Sequence, residues 1–222
     1  MTKKESHSPR AEIMARVRQN LAAVTTVDAV TRKSAAEETL HSGVRGPQPG
    51  MAGDLVERFM QKVESMSSTT GRIVRREDLP QAVAHYLGEN GLGGDAVISQ
   101  DLAALDWKGA GLAVEARGAV NADPVGITTC YCAIAETGTL MMVSRPETPP
   151  TLSLLPETHV ALVMPENIVP SLEDAFFRLR RDFSAMPPAV NFISGPSRTA
   201  DIEQTIVLGA HGPCRVHVIL GA

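Results

Sequence analysis

Three short stretches carry residue types that could do chemistry. The first, Ala133-Ile-Ala-Glu-Thr-Gly-Thr-Leu140, sets Glu136, Thr137, Gly138 and Thr139 between two apolar runs. A carboxylate there can act as acid, base or nucleophile, or it can be the solvated residue of a hairpin turning at Thr137-Gly138. The second, Ser194-Gly-Pro-Ser-Arg-Thr-Ala-Asp201, breaks an apolar run at Gly195-Pro196 and then presents Ser197, Arg198 and Thr199. The spacing predicts a short helix through about Leu208, whose free N–H groups, together with Arg198, would receive a carboxylate or a phosphate. Asp201 and Glu203 can satisfy those N–H groups themselves, and Asp201 with Gln204 has capping-box spacing. An anion site and a self-capped turn therefore stand level. The third stretch, Gly209-Ala-His-Gly-Pro213, reads as a helix C-cap at Gly209 followed by a tight turn with His211 and Gly212. Such a histidine can move a proton near neutral pH or simply bond nearby backbone.

Other chemistries find no support. His211 has no second histidine at metal-ligand spacing, and His159 and His217 lie in strand-like runs. The three cysteines are a C-x-C pair, Cys130 and Cys132, and the distant Cys214. That pattern argues against a disulfide framework and against a zinc or iron–sulfur site built by this chain, and predicts buried reduced thiols. Neither glycine-rich nucleotide fingerprint is present, and Ser153 is not in a nucleophile elbow. A formal charge of -4 gives no electrostatic case for nucleic acid. No apolar stretch approaches the roughly 20 residues that span a bilayer. The basic amino terminus has no apolar block behind it, so no secretory signal is read there and cytoplasmic residence is expected.

The elements that must position these residues follow from apolar periodicity. With 222 residues and aromatics at only 4%, one core must rest on Val, Ile, Leu, Ala and Met. Residues 1–50 read as an amphipathic helix, started by Ser8-Pro9 and striped by Ile13, Met14, Val17, Leu21 and Val24, followed by a flexible linker. Residues 51–222 read as the globular domain. Helices are expected from Asp54, from Asp78 as cap and from about Pro170. Strands are expected at 71–75, 96–99, 111–115, 159–164, 190–194 and 216–220. Strands alternating with helices imply an α/β fold with a mostly parallel sheet. In such sheets ligands sit beyond the carboxyl ends of strands, which directs attention to the loops after Ser99, Glu115, Met164 and Ser194 and around Glu136.

Taken together, AIAETGTL (133–140), SLLPETHV (153–160) and ISGPSRTADIEQTIVLGAHGP (193–213) resemble the LUD-domain family, in its single-domain lactate-utilisation branch. The arm AEIMARVRQNL (11–21) is similar to that branch's amino-terminal helix, and the resemblance is strongest from about Gly126 onward. It implies a three-layer α/β/α fold like that of the ribose-5-phosphate isomerase and CoA-transferase superfamily, with residues 51–222 as the LUD domain. It also implies a role in oxidising L-lactate to pyruvate beside partner proteins that hold the iron–sulfur clusters, with no cofactor in this chain. By the same resemblance Glu136 and His211 are the catalytic candidates. Thr137, Gly138, Thr139, Ser197, Arg198, Thr199, Asp201 and Gly212 are the candidates for holding a small carboxylate or phosphate. Cys130 and Cys132 stand where the family leads one to expect small or acidic residues. Two alternatives remain open: a stand-alone enzyme acting on an acyl-CoA or a sugar phosphate, and a non-catalytic scaffold for the iron–sulfur partners.

Overall fold

A computed structural model describes residues 9–24, 28–42, 46, 50, 53–200, 206–209 and 211–222. They fall into two compact units, Met1–Pro47 and Gln48–Ala222. The first unit holds α1 (Pro9–Val24) and α2 (Ala29–Ser42). The apolar stripe leads to α1, while its Ser8 cap lies outside the described residues. The second helix occupies a stretch read as linker. Its start is capped by Asp28, whose Oδ1 accepts the N–H groups of Val30 and Thr31 at 2.9 and 3.0 Å. Three alanines and two glutamates then supply helix propensity where no apolar stripe announces it.

The second unit alternates strands and helices. It begins with α3 (Leu55–Ser65), β1 (Thr69–Arg72), α4 (Leu79–Glu89), β2 (Asp95–Ile98), β3 (Ala113–Ala116), β4 (Val125–Thr129), β5 (Cys132–Ile134) and β6 (Thr139–Val143). It continues with α5 (Thr151–Leu154), β7 (Thr158–Val163), β8 (Ile168–Val169), α6 (Leu172–Asp182), β9 (Val190–Ile193), β10 (Arg198–Ala200), β11 (Ile206–Leu208) and β12 (Arg215–Leu220). Six strands form one sheet in the order β1-β12-β7-β4-β2-β3, and every neighbouring pair is parallel. The expected α/β class with a mostly parallel sheet is what forms.

Both faces of this sheet are covered, which is why its central strands are continuous apolar runs. Val160 and Leu162 of β7, Ile127 of β4 and Ile219 of β12 face α4, where Val83, Tyr86 and Leu87 are buried. On the other face Ala161, Val163, Val216 and Val218 meet Phe59, Met60 and Val63 of α3. Beside α3 on that face lies a second, mixed sheet of four strands, ordered β8-β5-β6-β9. Its outer side, with Cys132, Ile134, Met141 and Val143, is closed by Ala175 and Leu179 of α6. The layers thus run helix, large sheet, helix with small sheet, helix. All five residues of β6 are buried because it is covered on both sides.

Helix starts follow local chemistry, with one surprise. Asp54 caps α3 by accepting the Glu57 N–H, and Ser171 caps α6 by accepting the Asp174 N–H. Asp78 stands at the start of α4 as expected, but its carboxylate makes no cap bond and instead takes the Arg75 N–H and guanidinium.

The short helix expected to follow Thr199 and run through about Leu208 does not form. Arg198↔Leu208, Thr199↔Val207 and Ala200↔Ile206 pair as an antiparallel ribbon. The β-branched Thr199, Ile206 and Val207 suit an extended backbone. With no helix there, the helix-terminus argument for an anion falls away, and Gly209 caps no helix. Its φ of +80° belongs to the turn that leaves β11. Asp201, Glu203 and Gln204 lie outside the described residues. Among the described residues no helix is long and apolar enough to cross a membrane.

Candidate functional site

The β5–β6 hairpin places the first group of candidates. It turns where Thr137-Gly138 suggests, with the Gly138 N–H donating to the Ile134 carbonyl at 2.9 Å. Gly138 has φ +68°, and a Cβ there would lie 2.6 Å from the Lys62–Val63 backbone. Only glycine lets the turn press this closely on α3. Thr139 Oγ1 then sits 2.7 Å from Thr137 Oγ1 and 2.7 Å from Ser194 Oγ. A chain of three hydroxyls therefore joins the Glu136 turn to the end of β9. The Glu136 carboxylate is half-buried and, among the described residues, makes no hydrogen bond or ion pair, which leaves it available.

From Ser194 the chain turns at Gly195, whose φ of +84° and contact with the Met66 carbonyl again exclude a side chain. Ser197 follows. Its N–H donates to the Pro213 carbonyl at 2.8 Å, and its own carbonyl accepts the Gly209 N–H at 3.0 Å. Gly212 lies beside it, where a Cβ would make ordinary contact with Ser197 Cβ at 3.4 Å. Arg198 opens β10, is exposed, and has no ion-pair partner among the described residues. Thr199 is the next residue of that strand, His211 is exposed on the following turn, and Asp201 lies outside the described residues.

These segments share one edge of the large sheet. Gly138 and Gly195 abut the last turn of α3 and Met66, just before the chain enters β1. The turn after His211 runs into β12, where the Arg215 N–H donates to the Glu157 carbonyl at 3.0 Å, immediately before β7. Arg215 Nε also donates to Thr158 Oγ1 at 2.9 Å. All three segments thus gather at the amino-terminal edge of the parallel strands, opposite the edge where strand-end logic looks for ligands. The structure brings Thr137, Gly138 and Thr139 together with Ser194, and Ser197 together with Gly212.

His159 belongs to the same edge and its surroundings explain its chemistry. It is fully buried, with Nε2 2.8 Å from Thr128 Oγ1 and Nδ1 without a partner. Burial pushes its pKa down to about 4, so the ring is neutral near pH 7. Cys130 and Cys132 are free, buried thiols, and burial raises them to about 12 and about 11. Cys214 is free and half-buried, with Sγ donating to the Glu157 carbonyl. Among the described residues no group of three His, Cys, Asp or Glu could hold a metal ion.

The carboxyl edge holds something that local spacing does not reveal. A cleft of about 320 Å³ opens there, lined among others by Arg76, Asp101, Thr129, Tyr131, Arg145 and Arg178. The loops after Ser99 and Met164 do contribute Asp101 and Asn167 to it, so the strand-end rule points to the region without singling out a side chain. None of the residues expected from the three segments lines it.

Comparison with known proteins adds a family. The family model described as the LUD domain matches residues 56–220. A lactate utilization protein C of an Exiguobacterium species is 41% identical over 105 residues, which are 46% of this chain and 45% of that protein. The lactate utilization protein C of Bacillus subtilis is 38% identical over 99 residues, 43% of this chain and 41% of the relative. An uncharacterised protein of Neisseria meningitidis is 44% identical over 88 residues, covering 40% of this chain and 38% of its own. Each match thus spans less than half the length of the curated relative. Among solved structures, a DUF162 family protein from Deinococcus radiodurans superposes with a TM-score of 0.56 at 22% identity. It covers 78% of this chain and all of its own, and shows a shared fold.

Proposed function

The chain belongs to the LUD-domain family, and on that premise we propose that it is a component of a lactate-utilising system that oxidises L-lactate to pyruvate. The observation that carries this reading is the similarity to proteins named lactate utilization protein C. The oxidation removes two electrons and two protons from the hydroxy acid. The electrons pass to iron–sulfur clusters in partner proteins, and this chain contributes binding and proton handling. Arg198, with Ser197 and Thr199, holds the substrate or product carboxylate by charge-assisted hydrogen bonds. Thr137, Gly138, Thr139 and Gly212 shape the same site, with Glu136 and His211 as its proton carriers. One feature supports these assignments: the half-buried Glu136 carboxylate makes no hydrogen bond or ion pair among the described residues.

The test combines growth and binding. A strain lacking its own copy should grow on L-lactate with the wild-type gene and fail with Arg198→Ala. The purified variant should bind L-lactate or pyruvate at least tenfold more weakly by calorimetry, as loss of one charge-assisted pair implies. Normal growth together with normal binding refutes the role given to Arg198.

A further inference from the structure

The cleft at the carboxyl edge of the large sheet carries more positive charge than its own carboxylates use. Three arginines line it, Arg76, Arg145 and Arg178, against two carboxylates, Asp101 and Asp182. Both carboxylates are committed. Asp101 Oδ2 accepts from Arg76 at 3.1 Å and from Thr129 Oγ1 at 2.8 Å. Asp182 accepts from the Tyr131 hydroxyl at 2.9 Å and from Arg181 at 2.9 Å, with Arg178 Nε 3.6 Å away. Arg178 is anchored further by Asn167 Oδ1 at 2.7 Å, and its buried Nε makes no hydrogen bond.

Arg145 is the exception. Among the described residues it has no carboxylate within ion-pair distance. It is held instead by aromatic faces: its guanidinium carbon stands 5.1 Å from the Tyr131 ring centroid and 5.0 Å from that of Phe183. Those two rings meet edge to face at 5.7 Å, so the guanidinium rests in the notch between them. Arg178 lies 5.2 Å from the same Tyr131 ring, which sets two cations over one aromatic. Its backbone is fixed as well, because Arg145 and Thr148 exchange N–H···O bonds at 3.3 and 3.1 Å across a tight turn. The planar donor fork is thus oriented before any ligand arrives, and its charge is uncompensated. The nearby Cys130 thiol, pushed up to about 12, adds no anion of its own.

We propose that this cleft is an anion-binding site, separate from the residues at the amino edge, that takes a compact oxyanion on Arg145. The shared chemistry is a carboxylate or a phosphate, which accepts two parallel hydrogen bonds from a guanidinium. A volume of about 320 Å³ limits the ligand to a small molecule. Leu162, Met164 and Val143 give the cleft an apolar side that would take the ligand's carbon body. The inference stands on this geometry and not on the reading proposed for Arg198.

Calorimetric titration of the full chain at low ionic strength tests it, with sodium L-lactate, sodium acetate and inorganic phosphate as separate probes. At least one should bind saturably, and which one identifies the oxyanion class. Arg145→Ala should weaken that binding at least tenfold. Arg145→Met, which keeps an apolar stem against Tyr131 and Phe183 while removing the charge, should do the same without moving the melting midpoint of the free protein. Arg198→Ala, at the other edge, weakens only the lactate binding proposed there and should leave acetate or phosphate binding within about twofold. Saturable binding by none of the three probes overturns the proposal, as does unchanged binding in either Arg145 variant.

Discussion

Lowering the pH should destabilise the protein through His159, and the size of the effect follows from its surroundings. The ring is fully buried, bonded only to Thr128, and its pKa lies at about 4 against an ordinary 6.5. Because the folded pKa is depressed, the contribution is present above about 6.5 and is lost as pH falls toward about 4. Between pH 7 and pH 5 the unfolded chain takes up a proton that the folded chain refuses, worth about 2 kcal/mol by linkage. His217 adds a similar loss, since burial beneath the Tyr86 ring, stacked at 3.9 Å, also brings it to about 4. His159→Gln keeps an amide within reach of Thr128 but cannot titrate. Urea unfolding at both pH values, followed by the single tryptophan, Trp107, which is buried, isolates the difference. Wild type should lose about 2 kcal/mol more than the variant between pH 7 and pH 5. Carboxylate titration cancels because both proteins share it. Equal losses would refute the claim that His159 is held neutral by burial.

Two further outcomes rest on packing. Gly126→Ala should destabilise by about 3 kcal/mol, because its Cβ would collide with the Leu152 carbonyl and come within 2.9 Å of Pro156, forcing α5 off the sheet. Gly88→Ala in α4, where nothing stands within 4 Å, should be neutral or slightly stabilising, and thermal melting distinguishes the pair. An aromatic disulfide reagent should label only Cys214 in the native protein and all three cysteines in denaturant, since Cys130 and Cys132 are buried, neutral thiols. Rapid native labelling of all three would contradict that burial.

Much of the large sheet was legible because its chemistry is local, although β4, which lies between β7 and β2, is not among the strands expected from sequence. The run from His159 to Met164 is apolar on both faces, and Leu172, Phe176, Leu179 and Phe183 repeat at helical spacing, so β7 and α6 appear where periodicity puts them. The ribbon β10–β11 resembles a helix in sequence for a physical reason. Strands of three residues are too short for a period of two to show, and Ile202 with Ile206 mimics helical spacing. The hairpin at Thr137-Gly138 was legible from its turn residues, whereas its contact with Lys62 and Val63 of α3 was not, because that partner is distant in sequence. The cleft was the least legible feature. Tyr131 follows β4, Arg145 follows β6, and Arg178 rides on α6, so three unrelated elements supply one site and no local spacing connects them.

The two groups of candidates are tied together by β7 and kept apart by it. His159 stands at its start and Leu162 near its end, with Met164 just beyond, the last two lining the cleft. Six extended residues span roughly 20 Å. Every one of them is buried, and parallel neighbours clamp the strand on both sides. A ligand of the cleft's size cannot bridge that distance, so Arg198 and Arg145 cannot hold the same small molecule within one chain. The two substitutions therefore report on separate chemistry, and their effects on binding should combine without coupling. If lactate is lost only with Arg198 and phosphate only with Arg145, the protein handles two anions at opposite edges of one rigid sheet. If a single substitution removes both, the strand between them is not the rigid separator its burial and pairing imply.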